Sequence, residues 1–85
     1  MPYTVELSPK GKRAFYKLPI HIKNTILQHL RSLAVNPRPE GVKKLKAMNA
    51  WRMRIGDYRV IYEIHDDVLL VLVIHVAHRR EAYRK

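Results

Sequence analysis

The sequence predicts an α+β domain: a mostly antiparallel four-stranded sheet with an N-terminal helical hairpin packed on one face, in the order β-α-α-β-β-β. Three patterns carry that expectation. Apolar residues alternate at period two from Tyr3 to Leu7 and again beyond Trp51, the spacing of strands. Between these stretches they recur three and four apart, the spacing of helices. Prolines and turn residues separate the two regimes, at Pro9, Pro19, the run Asn36-Pro37-Arg38-Pro39, Gly56-Asp57 and Asp66-Asp67.

Each element has its own local reason. Tyr3, Val5 and Leu7 alternate with Thr4 and Glu6, which gives a first strand with one buried face. Ser8 can cap a helix, and Pro9 suits its first position, where the missing amide has no partner to lose. That helix is expected to reach about Leu18, with Ala14, Phe15 and Leu18 as its apolar stripe and Gly11 as a weak point. Pro19 opens a second helix, in which Ile22, Ile26, Leu30 and Leu33 share a face. The proline-rich run after Val35 stops it. A basic connector, Glu40 to Asn49, is expected to anchor through Leu45 and Met48. The second strand, Trp51 to Ile55, points Trp51, Met53 and Ile55 inward and Arg52 and Arg54 outward. The third runs from Tyr58 to His65, with Tyr58, Val60, Tyr62 and Ile64 on the buried face. The last, Val68 to Ala77, is apolar on both faces, as suits a central strand.

Composition narrows the function classes. Eighty-five residues make a single domain, expected to span residues 1–85, with one thin core. The absence of cysteine excludes a disulfide scaffold and a cysteine-based zinc site. The five histidines show no close metal-ligand spacing, so neither metal nor cofactor is expected. The longest apolar run, Val68 to Ala77, contains His75 and covers roughly half a membrane span, so it reads as a strand and a membrane partner is not expected. The N-terminus lacks a signal-peptide apolar run, and a cytoplasmic location is expected. Lys and Arg number 17 against 7 Asp and Glu, a formal net charge of +10. A body this small with that excess attracts polyanions, nucleic acid first, or an acidic protein.

The candidate chemistry lies on the solvent face of the sheet. Arg52 and Arg54 are two apart in one strand and project to one side. Arg59 follows the next turn, and Arg79 and Arg80 follow the last strand, so three segments can bring guanidinium groups around one patch. A guanidinium binds phosphate through a planar fork and stays charged. RNA supplies its own nucleophile, the 2′-hydroxyl. A site that aligns it and stabilises the crowded phosphorane can cut RNA without a metal, leaving a 2′,3′-cyclic phosphate and a 5′-hydroxyl. Taken singly, each of these arginines reads as a solvated surface residue. Lys43, Lys44 and Lys46 read equally as solvated lysines or as grips on RNA backbone. His75, inside the apolar strand, reads as a core histidine, and His21 and His29 as solvated. Trp51, Tyr58 and Tyr62 read as core.

Three segments together resemble the RelE branch of the RelE/ParE toxin superfamily. They are the connector Leu45-Lys46-Ala47-Met48, the strand pair Trp51 to Tyr62 with its W-R-x-R-x-G-x-Y-R-x-x-Y pattern, and the ending Val76-Ala77-His78-Arg79-Arg80-Glu81-Ala82-Tyr83. The last, with its H-R-R-E-x-Y pattern, favours the RNA-cleaving branch over the gyrase-poisoning one. The resemblance covers essentially the whole chain. It implies a RelE-like fold and a ribosome-dependent endoribonuclease that cuts mRNA and inhibits translation as the toxin of a type II toxin-antitoxin system. It further implies a cognate RelB-like antitoxin, with the ribosome and mRNA as the other partners. The implied site comprises Arg52, Arg54, Arg59, Arg79 and Tyr83. A RelE-type site carries lysines at the strand pair, where this chain has Arg52 and Arg54. An arginine does not give up its proton, so these two orient phosphate and stabilise charge. The general base is then Tyr83 or His78, while Arg79 donates to the leaving oxygen and Arg80 and Arg84 join the RNA-binding surface.

Two other classes compete: a ParE-type gyrase inhibitor without nuclease activity, and a plain RNA-binding module. The second would interleave exposed aromatics with its basic residues, and the aromatics of the second and third strands alternate away from theirs. The antitoxin is expected to be acidic, and to mask the arginine patch or displace the C-terminal tail.

Overall fold

The computed structural model describes residues 2–46 and 48–78. Strand β1 (Thr4–Leu7) leads into helix α1 (Pro9–Tyr16) and helix α2 (Ile20–Val35). Strands β2 (Lys43–Lys44), β3 (Trp51–Ile55), β4 (Tyr58–His65) and β5 (Leu70–His78) follow, with one 3-10 turn at Asp66–Val68. They form one five-stranded sheet in the order β1-β5-β4-β3-β2. Only β1 and β5 run parallel; the other pairs are antiparallel. The α+β architecture is the one the sequence predicts, with β5 an interior strand between β1 and β4.

The strand count is five where four are expected. The extra strand is Lys43–Lys44, paired with Arg52 and Trp51 inside the basic connector. Two residues are too short to carry a period-two signal. Beyond it, Leu45 donates its amide to the Ala50 carbonyl at 2.9 Å. Ala50 is buried and Leu45 partly so, while Met48 is 48% exposed, so Met48 does not anchor the connector.

Ser8 caps α1 by accepting from the Gly11 amide at 3.0 Å, with Pro9 at the first turn. The helix ends at Tyr16, before Leu18, because the residue ahead of Pro19 is disfavoured in helical conformation. Gly11 is a packing requirement as well as a weak helix former: a Cβ there would lie 2.4 Å from the Val73 carbonyl oxygen of β5. The two helices lie on one face of the sheet. Phe15, Ile26, Leu30 and Leu33 bury against Met53, Ile55, Val60, Tyr62, Ile64, Val71, Val73 and Val76. Tyr62 is fully buried, and its hydroxyl donates to the Pro37 carbonyl at 2.9 Å, which holds the exit of α2 over the sheet. Burial pushes that hydroxyl up to about 12.

The last strand starts at Leu70, two residues later than its apolar run. Asp66–Val68 form the 3-10 turn, and Leu69 then takes a left-handed conformation at φ 53°. A leucine pays for that conformation in strain.

Candidate functional site

Among the described residues the sheet's other face carries no helix, and its register brings cations together. Lys43 of β2 is opposite Arg52 of β3, and Arg54 of β3 is opposite Arg59 of β4. Directly opposed residues in an antiparallel ladder share a face, with Cβ atoms about 4.5–5.5 Å apart. Two like-charged pairs therefore sit side by side on neighbouring strands. Lys43 and Arg54 are exposed, and Arg52 and Arg59 are half-buried. The hairpin that sets this register turns on Gly56, whose φ of 58° fills the first of two loop positions, where a tight hairpin calls for positive φ.

The register continues into β5. Ile61 is opposite His75 and Arg59 is opposite Ala77, so the two rows across this face read Lys43-Arg52-Ile61-His75 and Arg54-Arg59-Ala77. His78 is opposite Tyr58, in the row that carries Ile55. Its ring meets Tyr58 edge-on, with centroids 5.0 Å apart at 87°. Both border a cleft of about 310 Å³ that Ala14, Lys17, Leu18 and Pro19 line from the helical side and His75 and Val76 line from β5. His78 is thus placed on the helix-bearing face, apart from Arg52, Arg54 and Arg59.

A β-bulge is the physical reason. Tyr62 pairs with Val73 but Ile61 pairs with His75, so Ile74 is an extra residue in β5. Unbroken alternation from Val71 and Val73 would put His75 on the buried face and His78 on the open one. The bulge shifts the register: His75 is half-buried and pairs in the Arg52 row, while it also lines the cleft that His78 borders. The sequence reading takes His75 as a core histidine; the structure places it half-buried in the register of the Arg52 row. The signal present was weak, a histidine inside an otherwise apolar strand.

Of the remaining candidates, Lys44 is exposed at the β2 edge opposite Trp51, and Lys46 is exposed in the connector beyond it. Arg79, Arg80, Tyr83 and Arg84 lie outside the described residues. Among the described residues no group of His, Asp and Glu is arranged to hold a metal ion, and no helix is long and apolar enough to cross a membrane.

A different arrangement of charge occupies the opposite end of β4. Arg38 donates to both oxygens of Asp66, at 3.2 and 2.8 Å, and Tyr3 donates its hydroxyl to the same carboxylate at 2.5 Å. The guanidinium also lies 5.4 Å from the centroid of the Trp51 ring. The hydrogen bond from Arg38, followed by that from Tyr3, holds the Asp66 carboxyl down at about 2. Glu63 and His65 meet at 2.9 Å on the same strand.

Comparison with known proteins identifies the fold's relatives. The family described as ParE toxin of type II toxin-antitoxin system, parDE, matches residues 5–83. Toxin RelG of Mycobacterium tuberculosis is 30% identical, with the whole of both chains covered. The toxin-antitoxin complex RelBE2 of the same organism contains a chain with a TM-score of 0.83 and 29% identity, covering 93% of this chain and 100% of that one. The archaeal RelE-RelB complex from Pyrococcus horikoshii OT3 gives 0.81 and 27%, covering 93% and 97%. Sequence family, full-length relative and fold agree, and the chain belongs to the RelE/ParE superfamily of type II toxin-antitoxin toxins.

Proposed function

We propose that this toxin is a metal-independent endoribonuclease that cuts mRNA on the ribosome. The observation that carries the reading is the pair of like-charged cross-strand contacts, Lys43 with Arg52 and Arg54 with Arg59. Opposed cations cost stability, on the order of 0.2–1 kcal/mol per pair. A phosphate between them turns the cost into an attraction. Arg52 and Arg54 hold the scissile phosphate, and Arg59 neutralises charge as the 2′-hydroxyl attacks phosphorus. The P–O bond to the 5′-oxygen breaks, giving the cyclic phosphate, and the leaving 5′-oxygen takes a proton from solvent water to become the 5′-hydroxyl. Arg79 donates a hydrogen bond to that leaving oxygen. The proton of the attacking 2′-hydroxyl goes to Tyr83, or to His75 at the end of the Arg52 row.

The partner in this reading is a RelB-like acidic antitoxin. The relatives from M. tuberculosis and P. horikoshii were solved as complexes with RelB proteins, and a +10 body calls for an acidic counterpart. The alternative target is DNA gyrase, which the ParE description of the family favours.

Primer extension on a translated mRNA with purified ribosomes separates the two. Cuts that require ribosomes and vanish in Arg52→Ala/Arg54→Ala are the expected result. Growth arrest without cuts, together with loss of gyrase supercoiling activity in vitro, would replace the nuclease reading.

A further inference from the structure

The strongest charge asymmetry outside the arginine face lies on the helices. Residues 8–36 include Lys10, Lys12, Arg13, Lys17, Lys23 and Arg31 and no Asp or Glu. A solvent-facing helical layer ordinarily mixes both signs, because opposite charges three and four apart support the helix. Here the exposed residues of α1 and its C-cap are Pro9, Lys10, Lys12, Arg13, Tyr16 and Lys17: four cations, a proline and a tyrosine. Two of those cations are badly placed for the helix. Lys10 and Lys12 sit at its start, where the macrodipole is positive and an acid would be favoured, and the first turn holds none. Arg13 and Lys17 are a like-charged pair four apart. Local stability does not explain this pattern, and a polyanion bound along the helix does.

Geometry supports a specific kind of polyanion. Leu7, Pro9, Lys12, Arg13, Tyr16 and Lys17 line an open groove of about 530 Å³ along α1. Tyr16 is 65% exposed, and the Lys23 ammonium lies 5.8 Å from its ring centroid. An exposed aromatic set among cations along a groove suits a nucleic-acid strand, with phosphates on the cations and a sugar or base against the ring. The groove belongs to the helical layer, across the sheet from Arg52, Arg54 and Arg59, so one RNA site does not extend into the other.

We infer that the outer face of α1 is a second RNA-docking surface, which grips the phosphate backbone of folded RNA while the arginine face addresses mRNA. The inference rests on the nuclease reading for its setting, as the contact that holds the toxin on the ribosome. Its physical content stands apart from that reading and is tested apart from it.

The probe is a fluorescein-labelled double-stranded RNA hairpin titrated with the purified chain across a range of salt. Lys12→Gln/Arg13→Gln/Lys17→Gln is expected to weaken binding at least tenfold at low salt. It should also flatten the log-affinity against log-salt line by about 2.7, since each of the three lost phosphate contacts removes about 0.9 unit of slope. Tyr16→Ala is expected to weaken binding about threefold or more with the slope unchanged. An unchanged affinity and slope in the triple variant overturns the proposal. So does loss of binding only to phosphatidylserine vesicles, or only to an acidic antitoxin, with RNA binding intact. The single variant Lys12→Gln guards against a folding artefact. It should melt at or above the wild-type temperature, because it removes a cation from the positive end of α1. A fall of several degrees marks a structural lysine and overturns the proposal. On ribosome-bound mRNA, the triple variant should keep its cleavage rate at saturating ribosomes within about twofold, while the ribosome concentration for half-maximal rate rises about tenfold. A wild type that binds the hairpin through α1 yet cuts no mRNA supports this surface and overturns the nuclease reading.

Discussion

Arg38 and Arg54 are the same side chain in opposite settings. Arg38 closes a bidentate pair on Asp66 and lies over the Trp51 ring, and Tyr3 completes the coordination of the carboxylate. It ties the exit of α2 to the β4–β5 turn and to the chain ahead of β1. Arg54 is opposite Arg59 in the ladder, with Lys43 opposite Arg52 on the adjoining strands. One corner has charges that satisfy each other, so it reads as architecture. The other sets like charges opposite one another across two strand pairs, the arrangement on which the proposed phosphate site rests. Arginine content alone does not separate the two; the register does.

The largest effect expected from breaking this contrast is on activity. Arg54→Ala should lower ribosome-dependent mRNA cleavage by about 10²-fold or more, the scale on which a charge-stabilising donor acts in a transition state. The same substitution relieves the opposition to Arg59, so stability should hold or rise by a few tenths of a kcal/mol, about 1–4 °C in melting temperature. Single-turnover cleavage and thermal melts on the same preparations check both halves. A variant that loses cleavage only because it melts several degrees lower would put Arg54 with Arg38, as architecture.

That contrast was only partly legible in the sequence. The fold was, because period two, helical spacing and proline punctuation are local signals, and β1, α1, α2, β3 and β4 obey them. Arg52, Arg54 and Arg59 were placed on one face by alternation around a tight Gly56-Asp57 turn, with nothing long-range required. Lys43 was seen as a connector lysine because the strand it forms is two residues long. The register of His75 was not legible because alternation fails at the Ile74 bulge, where β5 gains a residue that β4 does not match. A bulge is decided by pairing between strands, and an all-apolar stretch carries no mark of it. Gly11 illustrates the same limit: its helix-weakening tendency is visible in sequence, while the approach of the Val73 carbonyl that demands it is not. Arg38 went unnoticed as a clamp because its partner, Asp66, is 28 residues away.

On the architectural side, Tyr62→Phe should have the largest effect. It leaves the Pro37 carbonyl without its donor in a buried position, at a cost of about 1 kcal/mol. That corresponds to about 4–8 °C in a domain of this size. Arg38→Ala should cost less, a few degrees, because the pair with Asp66 is about half exposed and solvent competes for both partners. In each variant, cleavage per folded molecule should stay within about twofold of wild type. A drop comparable to that of Arg54→Ala would mean that the paired corner reaches the reacting phosphate, and the division between the two regions would fail.

The smallest effect is a pH dependence that only the paired corner can produce. Asp66 is held at about 2 against its ordinary 3.8, first by the Arg38 hydrogen bond and then by that from Tyr3. A carboxyl whose folded value lies below its unfolded value stabilises the fold above the unfolded value. That contribution is lost progressively as pH falls from about 4 through 2. Both partners are exposed, so the loss is modest and salt weakens it. Urea midpoints measured from pH 5 to pH 2 should therefore decline more steeply for the wild type than for Asp66→Asn, with the gap closing as salt is raised. Parallel profiles would mean that the acid sensitivity lies in other carboxylates and that the Arg38–Asp66 contact adds no stability in solution. An Arg54→Ala profile parallel to wild type over the same range is the complementary result, because Arg54 is at the Gly56 end of the β3–β4 hairpin, away from Asp66, and its removal leaves the titration of Asp66 untouched.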